Sequence, residues 1–135
     1  MTVCVHLCRG NYAKGMADGG YEPIAERMFD QLDVDGYFLE YDTPRAGDFS
    51  PLRHLRKPKK AVLGLVSTKL PELESADALK RRIDEATKFI DLERLCLSPQ
   101  CGFASVPARV RQTFAMDLTE RKLARVVEVA REIWG

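Results

Sequence analysis

Two cysteines and a histidine share one side of the opening segment, Val3-Cys4-Val5-His6-Leu7-Cys8-Arg9-Gly10-Asn11. Successive side chains of an extended strand point to opposite faces, so Cys4, His6 and Cys8 line one face while Val3, Val5 and Leu7 line the other. The aliphatic side reads as core. On the other side, a His-x-Cys pair projects an imidazole and a thiol about 7 Å apart along the backbone, which suits a tetrahedral site for zinc. Further along, Glu40 and Asp42 close the segment YFLEYD, Ser67 and Thr68 follow AVLGLV, and Ser98 and Cys101 lie in LSPQC. Adding Glu40 and Cys101 to His6 and Cys8 makes a set of one nitrogen, two sulfurs and one oxygen. The grouping is only suggestive, because a cysteine on an apolar strand is usually an unreactive core residue. That plain reading is adopted for Cys4 and Cys96, for which the sequence identifies no partner. Cys8 and Cys101 differ in sitting where a strand gives way to a Gly- and Pro-bearing loop.

These residues need elements to hold them. Residues 2–8 alternate as a strand, and 21–32 place Ile24, Met28, Phe29 and Leu32 at helical spacing. An aromatic strand over 37–42 leads into a Pro/Gly-rich loop with one helical turn, and a continuous apolar strand covers 61–67. Ser75 can cap a helix whose buried stripe is Leu79, Ile83, Ala86 and Ile90. A short strand over 94–98 and a long loop precede the last helix, which starts at Thr119, with Trp134 as a core anchor beside Val127 and Ala130. Apolar strands alternating with amphipathic helices indicate parallel βαβ units in an α/β fold. The turn after the first strand, RGNYAKGMADGG, lacks the G-x-G-x-x-G spacing of a dinucleotide fold. The polar groups all fall at the strand ends that form the catalytic rim of parallel α/β folds.

Composition narrows the function classes. The chain has 135 residues, with 21 basic and 20 acidic side chains and a net charge of +1. Such balance argues against partners held by bulk electrostatics, nucleic acids and membrane surfaces included. No apolar run approaches the roughly 20 residues of a membrane span, and no secretory signal layout is visible, so the expectation is a cytoplasmic protein. Four cysteines in a reducing compartment read as thiols or metal ligands. A single domain over 1–135 is expected. His54, in the basic run RHLRKPKK, reads as a surface residue.

The runs HLCRGN, GGYEPIAERMFDQLDVDGYFLEYDTPRAGDFSPLR, VLGLVSTKLPELE, LKRRIDEATKFIDLERLCLSPQCGFAS and VVEVAREIWG resemble the C-terminal half of the cobalamin-independent methionine synthase family, nearest its shorter, methionine synthase II-like members. The resemblance implies a (β/α)8 TIM barrel, of which this chain supplies four βα units. It implies a Zn2+ ion held by His6, Cys8, Glu40 and Cys101, and transfer of a methyl group from a methyl-folate, 5-methyltetrahydrofolate or a related donor, to the thiol of homocysteine. Glu40 would be displaced, or lengthen its bond, when the substrate thiol arrives. Asp42 and Arg45 would position a substrate amine or carboxylate, or form a structural ion pair. Ser67, Thr68 and Lys69 fall where family members line the substrate pocket. Two thiolates and a carboxylate bring three negative charges to a doubly charged ion, a balance that favours alkyl transfer to sulfur over water activation. A zinc alkyl transferase acting on another thiol, and a catalytically silent zinc-binding fragment, are the alternatives.

Four units are half of a barrel of about 250 residues. The inner face and two strand edges would then await a partner, either a second copy related by a two-fold axis or a separate N-terminal half. The loop VPARVRQTFAMDL after SPQCGFAS also departs from the Gly-Asn and acidic pattern that the resemblance leads one to expect.

Overall fold

The structure, a computed structural model, describes residues 1–9, 19–103 and 116–135. Four strands, β1 (Cys4–Leu7), β2 (Gly36–Glu40), β3 (Lys60–Val66) and β4 (Leu95–Pro99), form one sheet in the order β1-β2-β3-β4, with every neighbouring pair parallel. A helix or helical turns separate each described strand from the next. This is the arrangement of four successive units of a (β/α)8 barrel, as expected. The glycine-bearing turn over 10–18 and most of the atypical loop, residues 104–115, lie outside the described residues.

Register separates the two faces. Val5, Tyr37, Ala61 and Leu95 lie side by side across the four strands, and Leu7, Leu39, Leu63 and Leu97 form the next row. The helices pack on this side. Its core joins Tyr37, Leu39, Leu63 and Leu95 to Ala25 and Phe29 of the first helical segment, to Leu79, Ile83 and Ala86 of α2 (Ala76–Thr87), and to Val129 of α3 (Met116–Trp134). Ser75 caps α2 as the sequence predicts, its hydroxyl accepting the Ala78 N–H at 3.2 Å. On the opposite face stand Cys4 and Gly36, then His6, Phe38, Val62 and Cys96 in one row. None of these is fully covered except Gly36.

Three expectations change. Cys4 is exposed and Cys96 partly exposed, so neither is a core residue; both belong to the uncovered face. In the first helical segment, α1 (Glu22–Ala25) passes directly into a π-helical turn, Glu26–Asp30, and the buried row is Tyr21, Ala25 and Phe29, while Ile24 and Leu32 are about half exposed. The wider π turn advances fewer degrees per residue, so a stripe counted at 3.6 residues per turn drifts off the sheet. In α3 the buried face carries Lys122 and Val129, with Val126, Ile133 and Trp134 against the core, whereas Val127 is exposed. Trp134 anchors the helix end, its indole N–H donating to the Leu92 carbonyl at 3.2 Å.

Candidate metal centre

His6 lies within β1, Cys8 follows its last residue, Glu40 is the last residue of β2, and Cys101 comes two residues after β4. Parallel register carries all four to the same end of the sheet. One ligand atom from each, the imidazole nitrogen, two Sγ atoms and a carboxylate oxygen, all lie within 4.8 Å of one another. Tetrahedral coordination with bonds of about 2.0–2.3 Å separates donors by about 3.3–3.8 Å, so a modest inward closure lets the four share one ion. The donor types fit a borderline-soft divalent cation. Glu40 is fully buried, Cys101 partly so, and His6 and Cys8 are exposed. Burial pushes the Cys101 thiol up, and the neighbouring Cys8 and Glu40 charges push it the same way.

Glu40 is gripped from several sides. Its Oε1 lies 3.4 Å from His6 Nε2, and its Oε2 accepts the Arg9 backbone N–H at 3.0 Å and an Arg45 guanidinium N–H at 3.4 Å. The β1–β2 ladder stops at Leu7–Leu39, which leaves the Glu40 backbone amide without a strand partner on that side. Tyr21 takes that place, accepting the Glu40 N–H at 2.7 Å and donating to the Glu40 carbonyl at 3.4 Å. Burial pushes the Tyr21 phenol up to about 12, so it stays a neutral donor. The Arg9 guanidinium lies over the Tyr21 ring, 5.4 Å from its centroid, and donates to the carbonyls of Gly19 and Arg45. Sequence reasoning did not find Arg9 or Tyr21. The available signals were that Arg9 directly follows Cys8 and that Tyr21 shares an i, i+4 row with Ala25 and Phe29.

Asp42 has a side chain only 1% exposed and 3.6 Å from Arg45. Burial raises its carboxyl above the ordinary range, with the Ser67 hydroxyl and Arg45 opposing. Ser67 is buried; its hydroxyl accepts the N–H groups of Lys69 and Leu70 at 3.2 Å, and its own N–H donates to Glu74 Oε1 at 2.8 Å. The Lys69 ammonium donates to the carbonyl of Gly102, next to Cys101, at 3.3 Å. A shallow cleft of about 340 Å³ lies over His6, Cys8 and Cys101, bordered by Phe38, Ser98, Pro99 and Gly102. A larger one of about 450 Å³, under Tyr41, Asp42, Leu65 and Arg82, touches none of the four ligands. His54 is partly buried beside Glu22, at 3.9 Å.

Comparison with known proteins gives the family and the fold. Residues 1–132 match the family model of the cobalamin-independent synthase catalytic domain. The chain belongs to this cobalamin-independent synthase family. Among relatives, it is 48% identical to the uncharacterised protein YxjG of Bacillus subtilis (strain 168), over 99% of this chain and 35% of YxjG. Among solved structures, a candidate vitamin-B12-independent methionine synthase from Listeria monocytogenes is 37% identical with a TM-score of 0.70, over 100% of this chain and 36% of that one. A B12-independent methionine synthase from Shewanella sp. W3-18-1, solved in complex with selenomethionine, shares the fold at 20% identity, with a TM-score of 0.79 over 98% of this chain and 38% of that one. The chain therefore spans little more than a third of the family members it matches. Its four strands correspond to half of their barrel.

Proposed function

We propose that this chain is the metal-bearing half of a zinc-dependent methyltransferase that moves a methyl group from 5-methyltetrahydrofolate, or a related donor, to the thiol of homocysteine, giving methionine. One observation carries the reading: ligand atoms of His6, Cys8, Glu40 and Cys101, far apart in sequence, lie within 4.8 Å of one another at the rim of the sheet. Family membership supplies the reaction class. Bound there, zinc supplies the ability to hold a substrate thiol as its thiolate near neutral pH, the form that is nucleophilic.

The chain's own residues do the rest. His6, Cys8 and Cys101 fix one end of the site, and Glu40 takes the catalytic role, because its Oε2 already has donors in Arg9 and Arg45. That carboxylate can turn away from the other ligands without being left unpaired. Asp42 is the substrate-binding carboxyl, held by Arg45, with Ser67 behind it. The open inner face, with Phe38 36% exposed, accepts the other half of the barrel, either from a separate N-terminal half or from a second copy. Among the described residues no helix is long and apolar enough to cross a membrane, and a single domain over 1–135 working in the cytoplasm fits this reading.

Metal analysis of protein prepared without chelator should find one zinc per chain, lost in Cys8→Ser and in Cys101→Ser. Methyl transfer to homocysteine is then assayed with and without an added N-terminal half. Absence of bound metal removes the reading. Zinc without turnover, even after complementation, leaves the second reading, a zinc-binding half-barrel without catalysis.

A further inference from the structure

Cys101 is the ligand with the least regular support. It lies beyond the end of β4, and its position depends on how the chain leaves that strand. Gln100, immediately before it, is clamped to the exit of β3 by both main chain and side chain. Its N–H donates to the Val66 carbonyl at 2.8 Å, and its Oε1 accepts the Thr68 hydroxyl at 2.8 Å and the Thr68 N–H at 3.3 Å. Gln100 and Thr68 are almost wholly buried. The register shifts at this point, Gly64 pairing with Ser98 and Val66 with Pro99, so the backbone of Gln100 comes down onto Gly64. A Cβ at Gly64 would fall 2.8 Å from Gln100 Cα. The amide Nε2 of Gln100 finds no hydrogen-bond partner among the described residues. A buried amide kept in this state is a poor choice for stability alone, since an apolar side chain of the same shape would avoid the loss.

We propose that the buried Thr68–Gln100 pair is a positioning device that sets Cys101 Sγ within the ligand set. This rests on the metal-centre reading given above. Neither residue belongs to the ligand set, so the pair acts through Cys101, as groups outside a coordination sphere commonly do, with losses of about 10–100-fold in metal affinity when they are removed.

The test uses cobalt(II) as the probe ion, titrated into the 135-residue chain and into Thr68→Ser, Thr68→Val and the double variant Thr68→Val with Gln100→Met. Circular dichroism checks the fold of each. Thr68→Ser keeps the hydroxyl and should bind cobalt as the parent does. Thr68→Val should bind about 10–100-fold more weakly. The double variant replaces both polar groups with apolar ones of similar shape, which restores stability if Thr68→Val alone folds poorly. Its sulfur-to-cobalt charge-transfer absorption per bound ion should still fall to about half, one thiolate contributing where the parent has two. A purely structural role would not move that band. Parent-like affinity and band intensity in a folded double variant would overturn the positioning role while leaving the metal centre standing. No cobalt uptake by the parent chain would overturn both.

Discussion

At the scale of single residues, the candidate centre depends on one buried carboxylate, Glu40, and on the groups that hold it there. Glu40 is tolerated without exposure because a backbone N–H, a guanidinium and an imidazole surround its carboxylate. Chelation should therefore destabilise the fold. Binding of the proposed metal to the native chain stabilises it by mass action, so EDTA is expected to lower the unfolding temperature of the parent and to have no effect on Cys8→Ser, as read by thermal circular dichroism. Tyr21 gives a separate signature. Its phenol is raised from 10.0 to about 12 by burial, so between those values the unfolded chain binds fewer protons than the native one. The associated stability is complete below pH 10.0 and is lost as pH climbs towards 12. Urea midpoints measured across that range should fall, and less steeply in Tyr21→Phe. Tyr41, also raised by burial, retains part of the slope.

At the scale of elements, two close approaches hold the rim together, one between strands and one from a helix. Gly64 lets β3 and the exit of β4 meet, with Gln100 Cα and the Leu39 carbonyl each 2.8 Å from where a Cβ would sit. Gly64→Ala should cost about 1–3 kcal/mol by overpacking, visible as a lower urea midpoint with unchanged slope. From the other side, Lys122 of α3 is fully buried, its ammonium donating to the Glu72 carbonyl at 2.5 Å and to both Glu74 oxygens. Glu74 in turn accepts the Ser67 N–H. The last helix thus holds the loop that carries Ser67, Thr68 and Lys69. Lys122→Met should cost about 3 kcal/mol, because it leaves a partly buried carboxylate without its partner. The same urea series measures it.

At the scale of the whole molecule, the decisive feature is an uncovered sheet face. Among the described residues helices cover one side only, and β1 and β4 have no outer neighbour. Edges and apolar faces left in this state recruit partners. Sedimentation at micromolar concentration should show either self-association or a one-to-one complex with an added N-terminal half. A well-behaved monomer in both experiments would contradict barrel closure. Exposed side chains such as Phe38 and Val3 are where crosslinking or protection from hydrogen exchange should report that closure.

The alternating run over 2–8, the aromatic run over 37–42 and the apolar runs over 61–67 and 94–98 indicate four parallel βα units on sequence alone, because strand period and parallel direction fix which ends and faces coincide; the choice of His6, Cys8, Glu40 and Cys101 as one ligand set came from the family resemblance. The stripe Leu79, Ile83 and Ala86 was equally legible, since a regular helix keeps its phase; Ile90 is buried too, but in the turn beyond the end of α2. The π turn over Glu26–Asp30 was not, because it changes the residues per turn without a local signal. The partners of Glu40 were also hidden. Tyr21 reaches it across 19 residues and Arg9 across 31, and the Thr68–Gln100 clamp spans 32. Such contacts exist only once the sheet has assembled. Periodicity records what each residue faces, whereas the identity of its neighbour is decided by how distant strand ends come together.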